Sequence, residues 1–318
     1  MGLLVDGQWH ADWQKQTSSD GEFIRQETKF HRRIGEPDYE AESGRYHLFV
    51  SLACPWAHRT LIFRKLKKLE SLIGITNVDP VALDQGWEFS EISKDNPIEG
   101  LDYLHQVYTA ADANYSGRVT VPILWDKKQH TIVNNESAEI IRMFNSQFND
   151  LTNEQTDYYP EELREEIDEI NDLVYENINN GVYRSGFATS QTAYEAAFHR
   201  LFGTLDIVED RLGRHRYLVG DNITEADWRL FTTLIRFDAV YFSHFKANLR
   251  RIDDYANLSN YVRNLYQIDG VSDTVDFDYI KTHYYYSHTS INPTQIVPVG
   301  PALDFNRAHD RERFAKSE

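Results

Sequence analysis

The segment that most constrains the fold of this chain is a strand, a sharp turn and a helix around its single cysteine, Cys54. Before the turn, apolar and aromatic side chains alternate along the sequence RYHLFVS, which predicts a short strand that becomes buried. Pro55 follows the cysteine, and proline suits the first position of a helix because no backbone N–H is needed there. We therefore expect a helix that begins at Pro55, runs through Leu69 and has Cys54 at or beside its N-cap.

The position of Cys54 predicts a reactive thiol. Unpaired amides at a helix N-terminus favour an anion, which lowers the pKa of a thiol below its free value of roughly 8.5. His58 and Arg59, one turn further on, can add positive potential. Ala57 occupies the position where a dithiol oxidoreductase has its second cysteine, so an external thiol must resolve any mixed disulfide of Cys54. The alternative is that Cys54 is only a small buried apolar side chain.

Composition and charge exclude several classes of function. The 318 residues suffice for two domains, and 41% of them are hydrophobic, which is enough for a core. The 50 acidic side chains outnumber the 33 basic ones and give a net charge of −17, which argues against nucleic acid or an anionic membrane as a partner. One cysteine fits a reducing compartment and excludes an internal disulfide or a cysteine-rich zinc site. Because the N-terminus lacks a secretory signal and no apolar run could span a membrane, we expect a cytoplasmic protein, and we predict no metal site.

The first half of the chain shows the element order of a thioredoxin-like domain. After the first helix, strands are predicted at 75–83, 118–126 and 131–133, with a short helical stripe before the second and a helix after the third. We place this domain at residues 45–148. Residues 1–44 are polar and rich in turns yet hold several large aromatic side chains, so we expect an ordered extension packed on the domain. These side chains are Trp9, Trp13, Phe23 and Phe30.

Beyond a polar linker at 149–159, the pattern becomes helical. Residues 160–318 carry two apolar stripes at helical spacing. The stripes are Leu163, Ile167, Ile170, Val174 and Ile178, and Ala197, Leu201, Leu205, Val208 and Leu212. Thr224 and Asp227 form a variant of the capping box that opens a further helix. We therefore predict an all-helical second domain with a tyrosine-rich segment near its C-terminus.

Three further positions suggest contacts with a ligand. A proline inside a predicted strand is excluded unless the Val121-Pro122 bond is cis, which would leave backbone groups free to pair with a ligand. Glu136 and Ser137 stand at the start of a helix, where amides and a hydroxyl suit a carboxylate, although ordinary helix capping is the alternative. Trp87 lies in a loop that we expect to be exposed, where it would cover a ligand or an interface or pack on the extension.

Several motifs in this chain resemble those of one protein family. They are Cys-Pro-Trp-Ala-His-Arg at 54–59, Asn-Asn-Glu-Ser at 134–137, Asn-Asn-Gly-Val-Tyr at 179–183 and Ile-Lys-Thr-His-Tyr-Tyr at 280–285. In this order they resemble the glutathione transferases, and in detail the glutathionyl-hydroquinone reductases, the xi class. The resemblance covers nearly the whole chain. It implies an N-terminal thioredoxin-like domain and a C-terminal all-helical glutathione-transferase domain.

The resemblance also implies a two-step exchange of thiols. Cys54 attacks the sulfur of a glutathionyl-hydroquinone and releases the hydroquinone, and a second glutathione then frees the enzyme as oxidised glutathione leaves. Tyr183 and Tyr284 would be catalytic residues that donate hydrogen bonds in the hydroquinone pocket. Five positions would hold glutathione. These are Trp87, Arg118, Val121, Glu136 and Ser137.

The resemblance further implies the partners of the chain. No cofactor would be bound permanently, and glutathione or another γ-glutamyl thiol would be the co-substrate alongside an aromatic hydroquinone conjugate. The family is dimeric, so a homodimer is expected. Two alternatives stay open. One is an omega-like thioltransferase or dehydroascorbate reductase, which shares the cysteine but does not need the tyrosine-rich motif, and the other is a non-catalytic binding protein on a transferase fold.

Overall fold

The chain forms two compact units in a computed structural model that describes residues 2–11 and 17–314. One unit contains Cys54, and we call it the cysteine unit. It comprises the described parts of Met1–Gln14, together with Gln26–Thr156 and Thr274–Ile296. The other, the helical unit, comprises the described parts of Lys15–Arg25, Asp157–Asp273 and Val297–Glu318. Trp13 of the N-terminal segment lies outside the described residues.

Strands occur in the first half of the chain, and helices dominate the second. In the described residues the strands are β1 (Leu3–Val5), β2 (Gln8–His10), β3 (Tyr46–Val50), β4 (Gly74–Asn77), β5 (Ala82–Leu83), β6 (Gly86–Trp87), β7 (Gly117–Arg118), β8 (Ile123–Asp126) and β9 (Thr131–Asn134). The helices are α1 (Pro55–Leu66), α2 (Leu104–Ala111), α3 (Ser137–Ser146), α4 (Asn149–Thr152), α5 (Arg164–Val174), α6 (Asn180–Phe187), α7 (Gln191–Leu212), α8 (Glu225–Arg236), α9 (Leu258–Tyr266) and α10 (Phe277–Ser287). A turn of π-helix at Tyr175–Asn179 leads into α6, and another at Phe237–Tyr241 follows α8.

The core of the cysteine unit is a four-stranded sheet with the order β4-β3-β8-β9. The strand β3 pairs in parallel with β4 and antiparallel with β8, and all five of its residues are buried. A run that is buried on both faces belongs in the middle of a covered sheet. Leu48 of β3 accordingly lies opposite Ile75 on one side and Leu124 on the other. The chain leaves β3 at its carboxyl end, directly before the turn that carries Cys54.

The predicted strand, turn and helix around Cys54 are confirmed, but α1 is shorter than expected. The helix begins at Pro55 and ends at Leu66, whereas we expected it to continue through Leu69. Lys68 adopts a left-handed backbone conformation with φ of 56°. A helix cannot continue through such a residue. Because lysine occupies the position where glycine is usual, no residue type in the sequence marks the end of this helix.

Two of the predicted strands are interrupted. The strand expected at 75–83 is split into β4 and β5, and Pro80, which has no N–H to donate, lies between them. The strand expected at 118–126 is split into β7 and β8 around the Val121-Pro122 bond, which is cis as predicted. The strand β9 is the antiparallel partner of β8, so the predicted hairpin is confirmed.

The N-terminal residues of the cysteine unit pair with other strands. The strand β1 lies between β2 and β7 in a second sheet of three strands. Further on, the Arg32 amide donates to the Val133 carbonyl at 3.0 Å, and the Asn135 amide donates to the Phe30 carbonyl at 3.2 Å. These bonds use backbone groups of β9 and of the residue directly after it, on the side that would otherwise be an open edge of the central sheet.

A buried ion pair joins the ends of β3 and β8. The Arg45 guanidinium donates to both carboxylate oxygens of Asp126, the shortest N–O distance is 2.6 Å, and both side chains are almost fully buried. Glu40 and Glu42 contact the same guanidinium from more exposed positions. The Asp126 carboxylate raises the pKa of Arg45, which therefore stays charged. Asp126 also accepts from the Lys128 amide at 2.8 Å, so it fixes the turn after β8 as well.

Apolar stripes hold the helical unit together. The residues predicted to form them are buried along α5, the π turn after it and α7, except that Leu163 is half-buried. The predicted capping box at α8 is confirmed, because the fully buried Asp227 accepts from the Thr224 amide and the Tyr261 hydroxyl, both at 2.8 Å. Near the C-terminus, the buried Arg311 guanidinium donates to carbonyls at and after the end of α7. None of the described helices is long and apolar enough to span a membrane.

Candidate active site

Cys54 lies where the sequence predicts, at the N-cap of α1. Its backbone is extended, with φ of −78° and ψ of 119°, and its carbonyl accepts from the His58 amide at 3.0 Å. Pro55 occupies the first turn of the helix. The cysteine side chain is half-buried. A thiol enclosed in an apolar core would be inert, whereas this one combines partial exposure with the positive end of a helix.

The thiol lies against the segment that contains the cis bond. Cys54 Sγ donates to the Val121 carbonyl over 3.5 Å. Among residues 2–11 and 17–314, neither the amide nor the carbonyl of Val121 is bonded to another backbone group. A short extended peptide can therefore bind beside the thiol as an additional strand, with its own N–H and C=O groups paired to Val121.

A buried cation connects α1 with the start of α3. Arg59 is 1% exposed and donates to the Ser137 hydroxyl at 3.3 Å, and its guanidinium lies 4.6 Å from the centre of the Trp56 ring. His58 is fully buried, and its Nε2 lies 2.7 Å from the Thr274 hydroxyl. Burial strengthens the field of the Arg59 charge because little water screens it. Arg59 thus links α1, whose N-cap is Cys54, to the predicted carboxylate site at the start of α3.

Glu136 is itself the N-cap of α3, so the alternative of helix capping holds for this residue. Its carboxylate accepts from the Ala138 amide at 3.1 Å, and its own amide donates to the Asn134 side chain at 2.7 Å. The second carboxylate oxygen makes a long contact of 3.5 Å with the Thr28 hydroxyl. A half-buried carboxylate in this position can cap the helix and still accept from the ammonium group of a ligand.

Trp87 is buried, so the prediction that it is exposed is wrong. The indole is 7% exposed and stacks on the His283 ring of α10, with the ring centres 4.5 Å apart. Arg118 lies in β7 and is half-buried, and its carbonyl accepts from the Tyr115 hydroxyl at 3.0 Å. Both belong to the cysteine unit, as do all the other predicted glutathione-binding positions. Their contacts with glutathione stay predictions.

The two predicted catalytic tyrosines belong to different units. Tyr284, in α10 of the cysteine unit, is 2% exposed and makes an edge contact with the His283 ring at 5.3 Å between centres. Tyr183, in α6 of the helical unit, is half-buried and packs edge-on against Phe245 at 5.5 Å. The Arg25 guanidinium lies 5.1 Å from the Tyr183 ring centre. The catalytic roles of both tyrosines stay predictions.

Sequence reasoning missed two polar residues at the turn that carries the thiol, Ser51 and Tyr279. Both are buried, and their hydroxyl oxygens lie 3.3 Å apart. The Tyr279 hydroxyl also donates to the Val78 carbonyl at 2.6 Å. The sequence did contain a signal, because Tyr279, His283 and Ser287 recur every four residues. That spacing places three polar side chains on one face of a helix.

Comparison with known proteins identifies close relatives of this chain. The family model described as glutathione S-transferase, N-terminal domain, matches residues 53–147, and the one described as glutathione S-transferase, C-terminal domain, matches residues 191–264. The chain is 50% identical over 324 residues to glutathionyl-hydroquinone reductase YqjG of Escherichia coli (strain K12), covering 98% of this chain and 99% of that protein. It is 54% identical over 305 residues to glutathionyl-hydroquinone reductase PcpF of Sphingobium chlorophenolicum, covering 95% and 97%.

Solved structures agree with the sequence relatives. A xi-class glutathione transferase from Natrialba magadii matches with a TM-score of 0.93 and 47% identity over 98% of both chains. The glutathione-bound structure of YqjG matches with a TM-score of 0.87 and 50% identity over 98% of this chain and 99% of that one. The chain therefore belongs to the glutathione S-transferase family, and within that family to the xi class. The predicted fold class is confirmed, as is the prediction that the chain is an enzyme of this superfamily.

Proposed function

We propose that this protein uses glutathione to reduce glutathionyl-hydroquinones to hydroquinones through the thiol of Cys54. The observation that carries the proposal is the half-buried Cys54 at the N-cap of α1, 3.5 Å from the Val121 carbonyl, in a chain with no second cysteine. The names of the two relatives described above support it, since each is called glutathionyl-hydroquinone reductase.

In the first step, the Cys54 thiolate attacks the glutathione sulfur of the conjugate. A sulfur–sulfur bond forms, and the bond between the glutathione sulfur and the aromatic carbon breaks. The aromatic carbon keeps the electron pair and takes up a proton, so the hydroquinone leaves in reduced form. Cys54 is left as a mixed disulfide with glutathione.

In the second step, another glutathione frees the enzyme. Its thiolate attacks the glutathione sulfur of the mixed disulfide, the bond to Cys54 breaks, and oxidised glutathione leaves. An external thiol is required because the chain has a single cysteine. Two molecules of glutathione, one from the conjugate and one free, thus end as one disulfide. Their oxidation supplies the two electrons that the aromatic carbon keeps in the first step.

The proposed glutathione site runs from Val121 to the start of α3. The cysteinyl backbone of glutathione would pair with the Val121 amide and carbonyl, which have no other backbone partner in the described residues. Glu136 would take the ammonium group of the γ-glutamyl end, and Ser137 with the first amides of α3 would take its carboxylate. Arg118 and Trp87 would hold the glycyl side. Another γ-glutamyl thiol would meet the same contacts at Val121 and α3.

Arg118→Ala and Glu136→Ala should each raise the KM for glutathione about tenfold and change kcat much less. Each variant loses a charged contact that is present equally in the ground state and the transition state. Glu70→Ala is the matched control, because it removes an exposed carboxylate beyond the far end of α1, and it should leave both constants unchanged. Wild-type affinity for glutathione in both test variants, measured by calorimetry, would show that the proposed site is wrong.

Tyr183→Phe and Tyr284→Phe should each lower the turnover of a glutathionyl-hydroquinone about tenfold or more. Their roles rest on the family resemblance, which gives both hydroxyls as donors to the negative charge that develops on the departing hydroquinone. Phenylalanine keeps nearly all the packing and removes the donor. Both variants should still reduce the mixed disulfide between Cys54 and glutathione, where no hydroquinone leaves. Parallel loss of both reactions with earlier unfolding would make the two tyrosines structural.

Turnover of a glutathionylated hydroquinone with glutathione tests the proposed function. We expect hydroquinone and oxidised glutathione in equal amounts, and no more than one hydroquinone released per enzyme molecule when the free thiol is omitted. γ-Glutamylcysteine in a parallel assay tests whether the γ-glutamyl group suffices for recognition. Reduction of dehydroascorbate or simple mixed disulfides without turnover of the conjugate would favour the omega-like alternative. Absence of a selective glutathione adduct on Cys54 would favour a binding protein.

A further inference from the structure

The helix α10 is fastened to the loop after β4 by three side chains on one face. Tyr279, His283 and Ser287 recur every four residues, so they point in the same direction. Tyr279 donates to the Val78 carbonyl at 2.6 Å and His283 to the Pro80 carbonyl at 2.9 Å. Ser287 accepts from the Ala82 amide at 3.0 Å. Because a carbonyl can only accept, the hydrogen of the His283 ring lies on Nδ1. The register of α10 against this loop is therefore fixed along its length.

Tyr279 also reaches the turn that carries the thiol. Its oxygen lies 3.3 Å from Ser51 Oγ. Since the phenol hydrogen goes to the Val78 carbonyl, the Ser51 hydroxyl is the donor to the phenol oxygen. The Ser51 hydroxyl in turn accepts a hydrogen bond from the Ala53 amide at 3.3 Å. The Ser51 carbonyl accepts one from the Cys54 amide at 3.1 Å. Through this one serine, the phenol is connected to Ala53 and Cys54 of the turn.

This bridge crosses the carboxyl ends of two parallel strands. The strand β3 ends directly before Ser51, and β4 ends directly before Val78. Ligand sites beside parallel strands lie at this edge of the sheet. Ser51 is fully buried and Tyr279 is 7% exposed, so water does not compete for the bond between their hydroxyls. A hydrogen bond shielded in this way holds its geometry better than one at the surface.

The phenol stays neutral beside the thiolate. Burial raises the pKa of Tyr279, the hydrogen bond from Ser51 opposes the rise, and the charges of Asp79 and the Cys54 thiolate add to it. Tyr279 therefore acts as a neutral hydrogen-bond donor throughout the pH range in which a thiol titrates. Other charged or titratable side chains on the adjoining elements include His58 and Arg59 at the start of α1, Asp276 at the start of α10, and Lys281 and His283 further along α10.

We propose that Tyr279 is a positioning residue of the thiol site, which acts through Ser51 to hold the turn that carries Cys54. This role deepens the proposed function and rests on Cys54 being the reacting thiol. With the turn fixed, the thiolate stays against the amides at the N-terminus of α1, which stabilise it. Loss of the phenol hydroxyl removes the acceptor of the Ser51 hydroxyl, so the turn can move and the thiol becomes less acidic.

Tyr279→Phe tests this role through the pH dependence of Cys54 alkylation by iodoacetamide, with neither glutathione nor conjugate present. We expect the apparent pKa of the thiol to rise by about half a unit, which slows alkylation below that pKa about threefold. Ser51→Ala should shift the pKa in the same direction. The double variant should shift it no further than the larger single change, because both break the same contact. Tyr286→Phe makes the same change on an exposed tyrosine of α10 and should keep the wild-type profile.

Two outcomes would overturn the proposed role of Tyr279. One is an unchanged alkylation profile in folded Tyr279→Phe, whatever Ser51→Ala shows, because Ser51→Ala also removes the acceptor of the Ala53 amide. The other is a double variant whose shift equals the sum of the two, because the residues would then act independently. If Tyr279→Phe does not fold, Ser51→Ala carries the test, and a wild-type profile in that variant overturns the role, because the phenol acts through the Ser51 hydroxyl. Alkylation needs no hydroquinone conjugate, so this result and the failure of the proposed reaction can be told apart.

Discussion

Cys54→Ser should leave the fold intact and lower the turnover of a glutathionyl-hydroquinone at least about a thousandfold. An alcohol has almost no alkoxide near neutral pH and forms no exchangeable disulfide, so neither step of the exchange can proceed. Serine is similar in size and is a favoured N-cap residue, so α1 should still begin at Pro55. Hydroquinone release at saturating glutathione measures the effect, and circular dichroism confirms that the variant is folded.

The serine variant should also show a weak conjugating activity. A hydroxyl at the N-cap can stabilise the thiolate of bound glutathione by a hydrogen bond. Cys54→Ala is the matched control, because it removes the thiol without supplying a hydroxyl, and it should show neither reduction nor conjugation. If either variant retained about a tenth of the wild-type reductase turnover, Cys54 would have no place in the mechanism.

Asp126→Ala should destabilise the cysteine unit by about 3 kcal/mol or more. The change leaves the buried Arg45 guanidinium without its buried counter-charge and leaves the Lys128 amide without its acceptor. In urea, the midpoint of unfolding should fall while the slope of the transition stays the same, because the surface exposed on unfolding hardly changes.

Glu42→Ala is the matched control at the same arginine. Glu42 contacts Arg45 at 2.8 Å, but its side chain is 41% exposed, so water and salt offset most of the attraction. Its unfolding midpoint should therefore stay close to that of the wild type. Equal midpoints for Asp126→Ala and Glu42→Ala would contradict the view that burial decides how much each ion pair contributes.

Features with a local cause could be predicted from the sequence. Pro55 restricts its own backbone and has no N–H, so the start of α1 and the position of Cys54 follow from two adjacent residues. The cis bond before Pro122 follows in the same way, since a proline within a strand has few alternatives. The end of α1 could not be predicted, because Lys68 adopts a left-handed conformation that its residue type does not favour.

Features that depend on distant parts of the chain could not be predicted. Trp87 was expected to be exposed because its neighbours in the sequence are polar, but its stacking partner is His283, on a helix near the C-terminus. Tyr279 was missed for the same reason, since its partners Ser51 and Val78 follow two strands early in the chain. The four-residue spacing of Tyr279, His283 and Ser287 places them on one face of a helix, but what packs against that face is set by the fold.

The most direct test of the central claim is intact-protein mass spectrometry after one turnover without free glutathione. The wild-type enzyme, mixed with a slight excess of glutathionylated hydroquinone, should gain one glutathione on Cys54 and release one equivalent of hydroquinone. Added glutathione should then remove the adduct and yield oxidised glutathione. Hydroquinone release without an adduct on Cys54, or an adduct that added glutathione cannot remove, would contradict reduction through a Cys54–glutathione disulfide.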